Sequence, residues 1–190
     1  MKFSKREVRM KSKILLACFL LFSLCGVTLT EDVAGPYLLK SIWLEKFARF
    51  VTWSEGSDIK DKSKPFIIGI IGKHPFGQIL NNIYKQNKIK DKKVEIKYIS
   101  DVDKIPDCHL LYISASCKSY LADVLAVTKD KPVLTVGDTE GFAEKGVLIN
   151  MYIDENKIRI QISAAIIRHR SLQIDPLLLE IAAVVKKKSK

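Results

Sequence analysis

The chain has 190 residues, 47% of them hydrophobic and 28% charged, which is enough for one globular domain with a real core and too little for two ordinary ones. Nine Gly, six Pro and four Cys exclude collagen-like repeats, intrinsic disorder and a multi-pass membrane protein. The formal charge of +11 is concentrated at the ends: residues 1–13 hold a net +5 and residues 186–190 a net +4, leaving about +2 between, so nucleic acid is not the expected partner, because a nucleic-acid fold carries its positive charge on the domain itself.

In chain order, Lys2, Lys5, Arg6, Arg9, Lys11 and Lys13 precede an uncharged run from Ile14 to Thr30 whose apolar core is residues 14–24. That order reads as a secretory signal peptide over residues 1–30, cleaved between about Gly26 and Thr30, and hence as a periplasmic protein. A spanning helix needs about 20 apolar residues, more than this segment offers; a non-cleaved N-terminal anchor is the alternative. Cys18 and Cys25 belong to the apolar run, since Cys25 follows Leu24 rather than a small residue. Export leaves Cys108 and Cys117 where disulfides are permitted. Five strand residues from His109 span about 15 Å, and a disulfide needs Cα atoms within about 7 Å, so no bond within the chain is expected. Cys108 reads as a buried small hydrophobe and Cys117 as a loop thiol, with an intermolecular bridge as the alternative.

From Glu31, the residues Leu39, Trp43, Phe47 and Phe50 recur at helical steps, with Leu38, Ile42 and Val51 flanking the same side. The spacing predicts an amphipathic helix of about five turns with that face buried, stopping near Thr52 and Trp53. After Pro65, short runs rich in Ile, Val and Leu occupy residues 66–71, 94–98, 110–113, 133–136, 147–152 and 157–162. Continuous apolar runs are strands covered on both faces, as in a mainly parallel sheet. Helices are expected over 76–86, 119–128 and 175–185, the last carrying Leu177, Leu178, Ile181, Val184 and Val185. Asp154-Glu155-Asn156 is too short for a crossover and predicts an antiparallel hairpin. The result is an α/β three-layer sandwich over residues 31–185, with about four parallel strands, an antiparallel edge hairpin and helices on both faces, in an order similar to flavodoxin-like folds. Residues 186–190 form a basic tail. It and Arg168-His169-Arg170 read as solvated, the tail adding attraction to anionic headgroups of about 1 kcal/mol per Lys.

Five segments, in order, resemble the YfiR family of exported bacterial proteins: residues 46–53 (KFARFVTW), Ile68-Gly69-Ile70-Ile71-Gly72 with Pro75-Phe76, residues 108–113 (CHLLYI), residues 132–136 (PVLTV) with Gly141-Phe142, and residues 172–182 (LQIDPLLLEIA). The family often has Trp-Pro where this chain has Trp53-Ser54, and the later disulfide of some members has no counterpart after Cys117. The resemblance implies a non-enzymatic regulator that restrains the periplasmic sensor portion of an inner-membrane diguanylate cyclase, relieved by an outer-membrane lipoprotein, with cyclic-di-GMP and biofilm as outputs. A homodimer is a further expected assembly.

Few residues point to chemistry of their own. His74 lies in the first strand-to-helix loop, Gly72-Lys73-His74-Pro75-Phe76, and loops of that kind line the ligand crevice of doubly wound folds. With Ser114, Ser116 and Lys118 after the third strand, and Asp138 after the fourth, they would form a small polar crevice at one end of the sheet. The chemistry of these residues suits an anion or metabolite, but ordinary loop and helix-cap roles account for them first. The loop has neither G-x-G-x-x-G nor a Walker pattern, so no cofactor is expected. His109 and Cys108 are strand neighbours pointing to opposite faces, and no metal-ligand spacing occurs. No G-x-S-x-G elbow presents a serine nucleophile. The alternative to the regulator is a periplasmic protein that binds a small ligand in the sheet-end crevice.

Overall fold

The computed structural model describes residues 34–54, 57–74, 76–155, 157–169 and 171–186. The signal peptide and its cleavage site, Pro75, Arg170 and the tail beyond Lys186 lie outside these residues. The first element is α1 (Ala34–Phe50), whose only Gly and Pro sit in its first turn, where their cost is smallest. It passes directly into β1 (Val51–Trp53). Then follow β2 (Phe66–Ile71), α2 (Ile79–Tyr84), β3 (Val94–Ile99), β4 (Leu110–Ile113), α3 (Leu121–Thr128), β5 (Leu134–Gly137) and α4 (Phe142–Lys145). The chain closes with β6 (Ile149–Asp154), β7 (Lys157–Ser163), β8 (Leu172–Ile174), α5 (Pro176–Glu180) and β9 (Ala183–Val185).

Seven strands form one sheet in the order β3-β2-β4-β5-β6-β7-β9, and β1 pairs with β8 in a separate two-stranded ribbon. The strands from β2 to β6 are mutually parallel, β6 and β7 are antiparallel, and β9 runs parallel to β7. This is a mostly parallel α/β sandwich of flavodoxin-like kind with five parallel strands, one more than the apolar runs suggest. The hairpin turn is as short as expected, ending at the Asp154–Lys157 pair, with Glu155 in the left-handed region at φ 46°, the conformation that tight hairpins require.

Alternation along the strands builds two cores. Phe66, Ile68, Ile70, Leu110, Tyr112 and Val136 pack with Leu44 and Phe47 of α1 and Leu80 of α2. Their neighbours Ile71, Leu111 and Ile113 pack on the other face with Leu121 and Val124 of α3 and Phe142 of α4. Both sheet faces are therefore covered, which is why the strands read as continuous apolar runs.

Three expectations fail. The face that α1 buries is Lys40, Ser41, Leu44, Phe47 and Ala48, while Leu38, Leu39 and Ile42 are half exposed; a polar pairing at the sheet end decides the helix rotation. The helix expected over 175–185 stops at Glu180. Asp175 caps it by accepting from the Leu177 amide at 2.9 Å, and Pro176 takes the first helical position. Only Leu178 is then buried, and Ala183–Val185 instead pairs with β7, an outcome that β-branched valines favour. The helix predicted over 76–86 is confined to Ile79–Tyr84. No helix among the described residues is long and apolar enough to cross a membrane.

Candidate functional site

In a sheet ordered β3-β2-β4, the connection from β2 steps to one side and the return to β4 to the other, so the strand order reverses at β2, and ligands of doubly wound folds bind beyond the C-terminal ends of strands at such a point. The structure brings Gly72, Lys73, Ser114 and Ser116 together there. The Lys73 amide donates to Ser116 Oγ at 2.9 Å, and the Ser116 hydroxyl donates to Ser114 Oγ at 3.3 Å. The Ser114 amide donates to the Ile71 carbonyl at 3.1 Å. Gly72 adopts φ 88°, and a Cβ there would strike Ser116 Oγ and come within 2.7 Å of Cys117 Sγ. Only glycine satisfies both demands. The two loops thus fill the switch point with their own atoms.

Cys117 is fully buried, not the loop thiol expected, and its Sγ donates to the Ile71 carbonyl at 3.3 Å. The Ser114 hydroxyl accepts from the Ser116 amide and winds residues Ala115–Cys117 into a single 3-10 turn, carrying the sulfur inward. Cys108 is buried and free as well, its thiol pushed up to about 12 chiefly by burial, so it holds almost no thiolate at neutral pH. His74 is exposed and leans on the Tyr98 ring, centroids 4.6 Å apart. Lys118 is also exposed. Neither joins the Ser114–Ser116 hydrogen bonds.

Asp138 follows β5, but it does not open onto a crevice. Lys40 Nζ of α1 donates to its Oδ2 at 2.7 Å, with both side chains more than nine-tenths buried. The same ammonium lies over the Tyr37 ring at 4.5 Å, a favourable cation–π geometry. Phe76 packs edge-on against both Tyr37 and Tyr112. The Tyr112 hydroxyl is buried and has no hydrogen-bond partner within bonding geometry among the described residues; burial first, and the Asp138 charge second, push its ionisation far up. Tyr37 is raised by the same two causes in the same order. Lys40 and Tyr37 lie in no quoted motif, and Tyr112 lies in the 108–113 motif without a role of its own; the available signal is Lys40-Ser41 interrupting an apolar helix that needs an acid elsewhere.

The opposite ends of the strands carry a second polar cluster. His109 immediately precedes β4 and is buried, stacked on Phe66 at 4.7 Å. Its Nδ1 accepts from the Ile67 amide at 3.0 Å, so in the neutral ring Nε2 bears the proton and donates to Asp58 Oδ1 at 2.8 Å. His109 and Cys108 do face opposite sides, the first meeting Phe66 of one core and the second lying in the other. Lys92 is wholly buried, and its ammonium donates to the carbonyls of Asp58 at 2.6 Å and Asp61 at 2.7 Å. Burial lowers the basicity of His109, and Asp58 offsets this only in part.

The fold resembles a solved structure, a conserved domain protein from Vibrio cholerae O1 biovar El Tor, with a TM-score of 0.51 and 12% identity. The likeness covers 80% of this chain and 60% of that one. No curated protein matches the sequence. The sequence profile of the YfiR/HmsC-like family, a family of periplasmic regulators of cyclic-di-GMP signalling, matches residues 37–183, and the chain belongs to that family.

Proposed function

We propose that this protein is an exported, non-enzymatic regulator that docks on the periplasmic portion of an inner-membrane diguanylate cyclase and restrains it. Membership of the YfiR/HmsC-like family over residues 37–183 carries the reading. The leader-like order of residues 1–30 agrees with export. The closed strand ends weigh for a protein partner over a small ligand: Ser114 and Ser116 are engaged with their own loops, and Asp138 is covered by Lys40. In this reading an outer-membrane lipoprotein relieves the restraint, and the regulator works as a monomer or a homodimer.

Crosslinking in the intact envelope, followed by cyclic-di-GMP measurement with and without the gene, tests it. Capture of a membrane cyclase together with a rise in the nucleotide on deletion is the expected result. No cyclase and no change in nucleotide would overturn the proposal and leave the fold assignment intact.

A further inference from the structure

The two edges of the seven-stranded sheet are built differently. At one end β9 is three residues long and runs into Lys186, the kind of short, lysine-flanked strand that blocks pairing with another chain. At the other end β3 is six residues long and pairs with β2 over its whole length, without a bulge or a proline. Among the described residues no strand pairs with its outer side.

The ladder fixes which backbone groups lie on that side. The Lys93 and Ile99 carbonyls accept from the Phe66 and Gly72 amides at 2.7 and 3.3 Å. Peptide groups alternate in direction along a strand, so residues 93, 95, 97 and 99 face β2, while Val94, Ile96 and Tyr98 turn their amides and carbonyls outward. Side chains alternate as well. Val94 and Ile96 are half-buried against the first core, with Tyr98 44% exposed on the same face. Glu95 and Lys97 stand half-exposed on the other face, Oε1 to Nζ 3.7 Å.

Charges on an edge strand keep copies apart when they share a sign. Here the signs are opposite and the spacing is two residues, which makes the strand complementary to itself. With a two-fold axis at Ile96, Glu95 lies opposite Lys97 of the second copy and Lys97 opposite its Glu95, in the positions where antiparallel side chains approach most closely. Val94 meets Tyr98 and Ile96 meets Ile96, each pair exchanging two backbone hydrogen bonds. Moving the axis to residue 95 or 97 instead opposes Glu95 to itself or Lys97 to itself, which is unfavourable.

We infer that the outer edge of β3 pairs with the same edge of a second copy, antiparallel about Ile96, so that the two sheets run into one. The contact is isologous and closes on itself. It gives the homodimer a surface and a register, and it stands whether or not the chain restrains a cyclase.

Sedimentation equilibrium tests the edge, with protein in the form in which the cell holds it and a thiol reductant present so that no bridged dimer counts. The expected result is a dimer. Ile96→Pro removes an outward N–H that takes no part in the β2 ladder, and it should weaken association by about tenfold or more. Glu95→Lys and Lys97→Glu should each weaken it by about tenfold, because each sets like charges together at both symmetric positions. An equimolar mixture of these two variants should associate as the parent does, since each copy then carries the charges that the other lacks. Comparison with the parent cancels any contribution of the N-terminal segment. A dimer indifferent to all three variants would overturn the edge, and charge variants that fail to recover on mixing would overturn the register. A monomer up to about 1 mM would overturn the inference outright and leave the edge to an extended segment of another protein.

Discussion

At the C-terminal ends of the parallel strands a buried lysine meets a carboxylate, and at the N-terminal ends a buried lysine meets the carbonyls of a turn. Lys40 and Asp138 are a pair of full charges withdrawn from water on two separate elements, α1 and the loop after β5. Lys92 instead closes a turn just ahead of β2, satisfying the Asp58 and Asp61 carbonyls. The first arrangement fixes how a helix is rotated on the sheet; the second holds a loop. Desolvation makes a buried ion pair a modest source of stability when intact and a large liability when halved. A lysine on neutral carbonyls carries a smaller penalty on removal, because the groups left behind are dipoles.

The sharpest break of this comparison is Lys40→Ala, which strands the Asp138 carboxylate in the interior and should cost about 3–5 kcal/mol. Urea unfolding of Lys40→Met with Asp138→Leu should recover most of that loss; a double variant as weak as the single one would mean that the pair contributes net stability rather than orientation. Next comes Lys92→Met, which keeps the apolar stem and leaves two carbonyls unmatched, for a loss of about 1–3 kcal/mol by the same titration.

The third test is pH. The folded His109 has a basicity below its ordinary value near 6.5, so the unfolded chain takes up the proton first. Its contribution is complete above pH 6.5 and is lost as pH falls through the lower folded value, where protonation removes the bond from the Ile67 amide, worth about 1 kcal/mol. Asp58 behaves in a separate window. Burial would raise its carboxyl, but the interaction with His109 and the charges of Lys92 and Lys64 outweigh that and hold it below 3.8, so its contribution persists above 3.8 and is lost below. The midpoint of unfolding should fall between pH 7.5 and 5 in the parent and fall less in His109→Gln, the remaining slope belonging to His169, whose basicity burial also lowers. The smallest effect belongs to His74→Ala: an exposed loop side chain on the Tyr98 ring should change stability by less than about 0.5 kcal/mol, measured as a melting shift.

What was readable in the sequence follows the range of the forces. The strands over 66–71 and 110–113 were legible because burial on both faces leaves an unbroken apolar run. The rotation of α1 was not, because it depends on Asp138, 98 residues away, and an apolar stripe of Leu38, Leu39 and Ile42 outweighs a single lysine in any periodicity reading. The segment after Asp175 misled for a related reason. Val184 and Val185 fit a helical spacing equally well, and the choice was made by the open edge of β7. At the candidate site, the loops holding Gly72, Ser114, Ser116 and Asp138 were foreseen, but their mutual hydrogen bonds and the ion pair that covers Asp138 are tertiary facts. The β1–β8 ribbon had no local signal, as three residues on either side carry no period of their own.

That ribbon bears on the order of assembly. Val51 and Trp53 are buried by pairing with Ile174 and Leu172, and the Phe50 carbonyl accepts from the Asp175 amide at 2.8 Å. The end of the first helix is thus completed by residues made more than a hundred positions later. Contacts so distant in sequence form late and slow the search for the native state. A nascent or truncated chain that stops short of Leu172 leaves β1 and the last turn of α1 without their strand partner, and proteolysis during synthesis should strike there first.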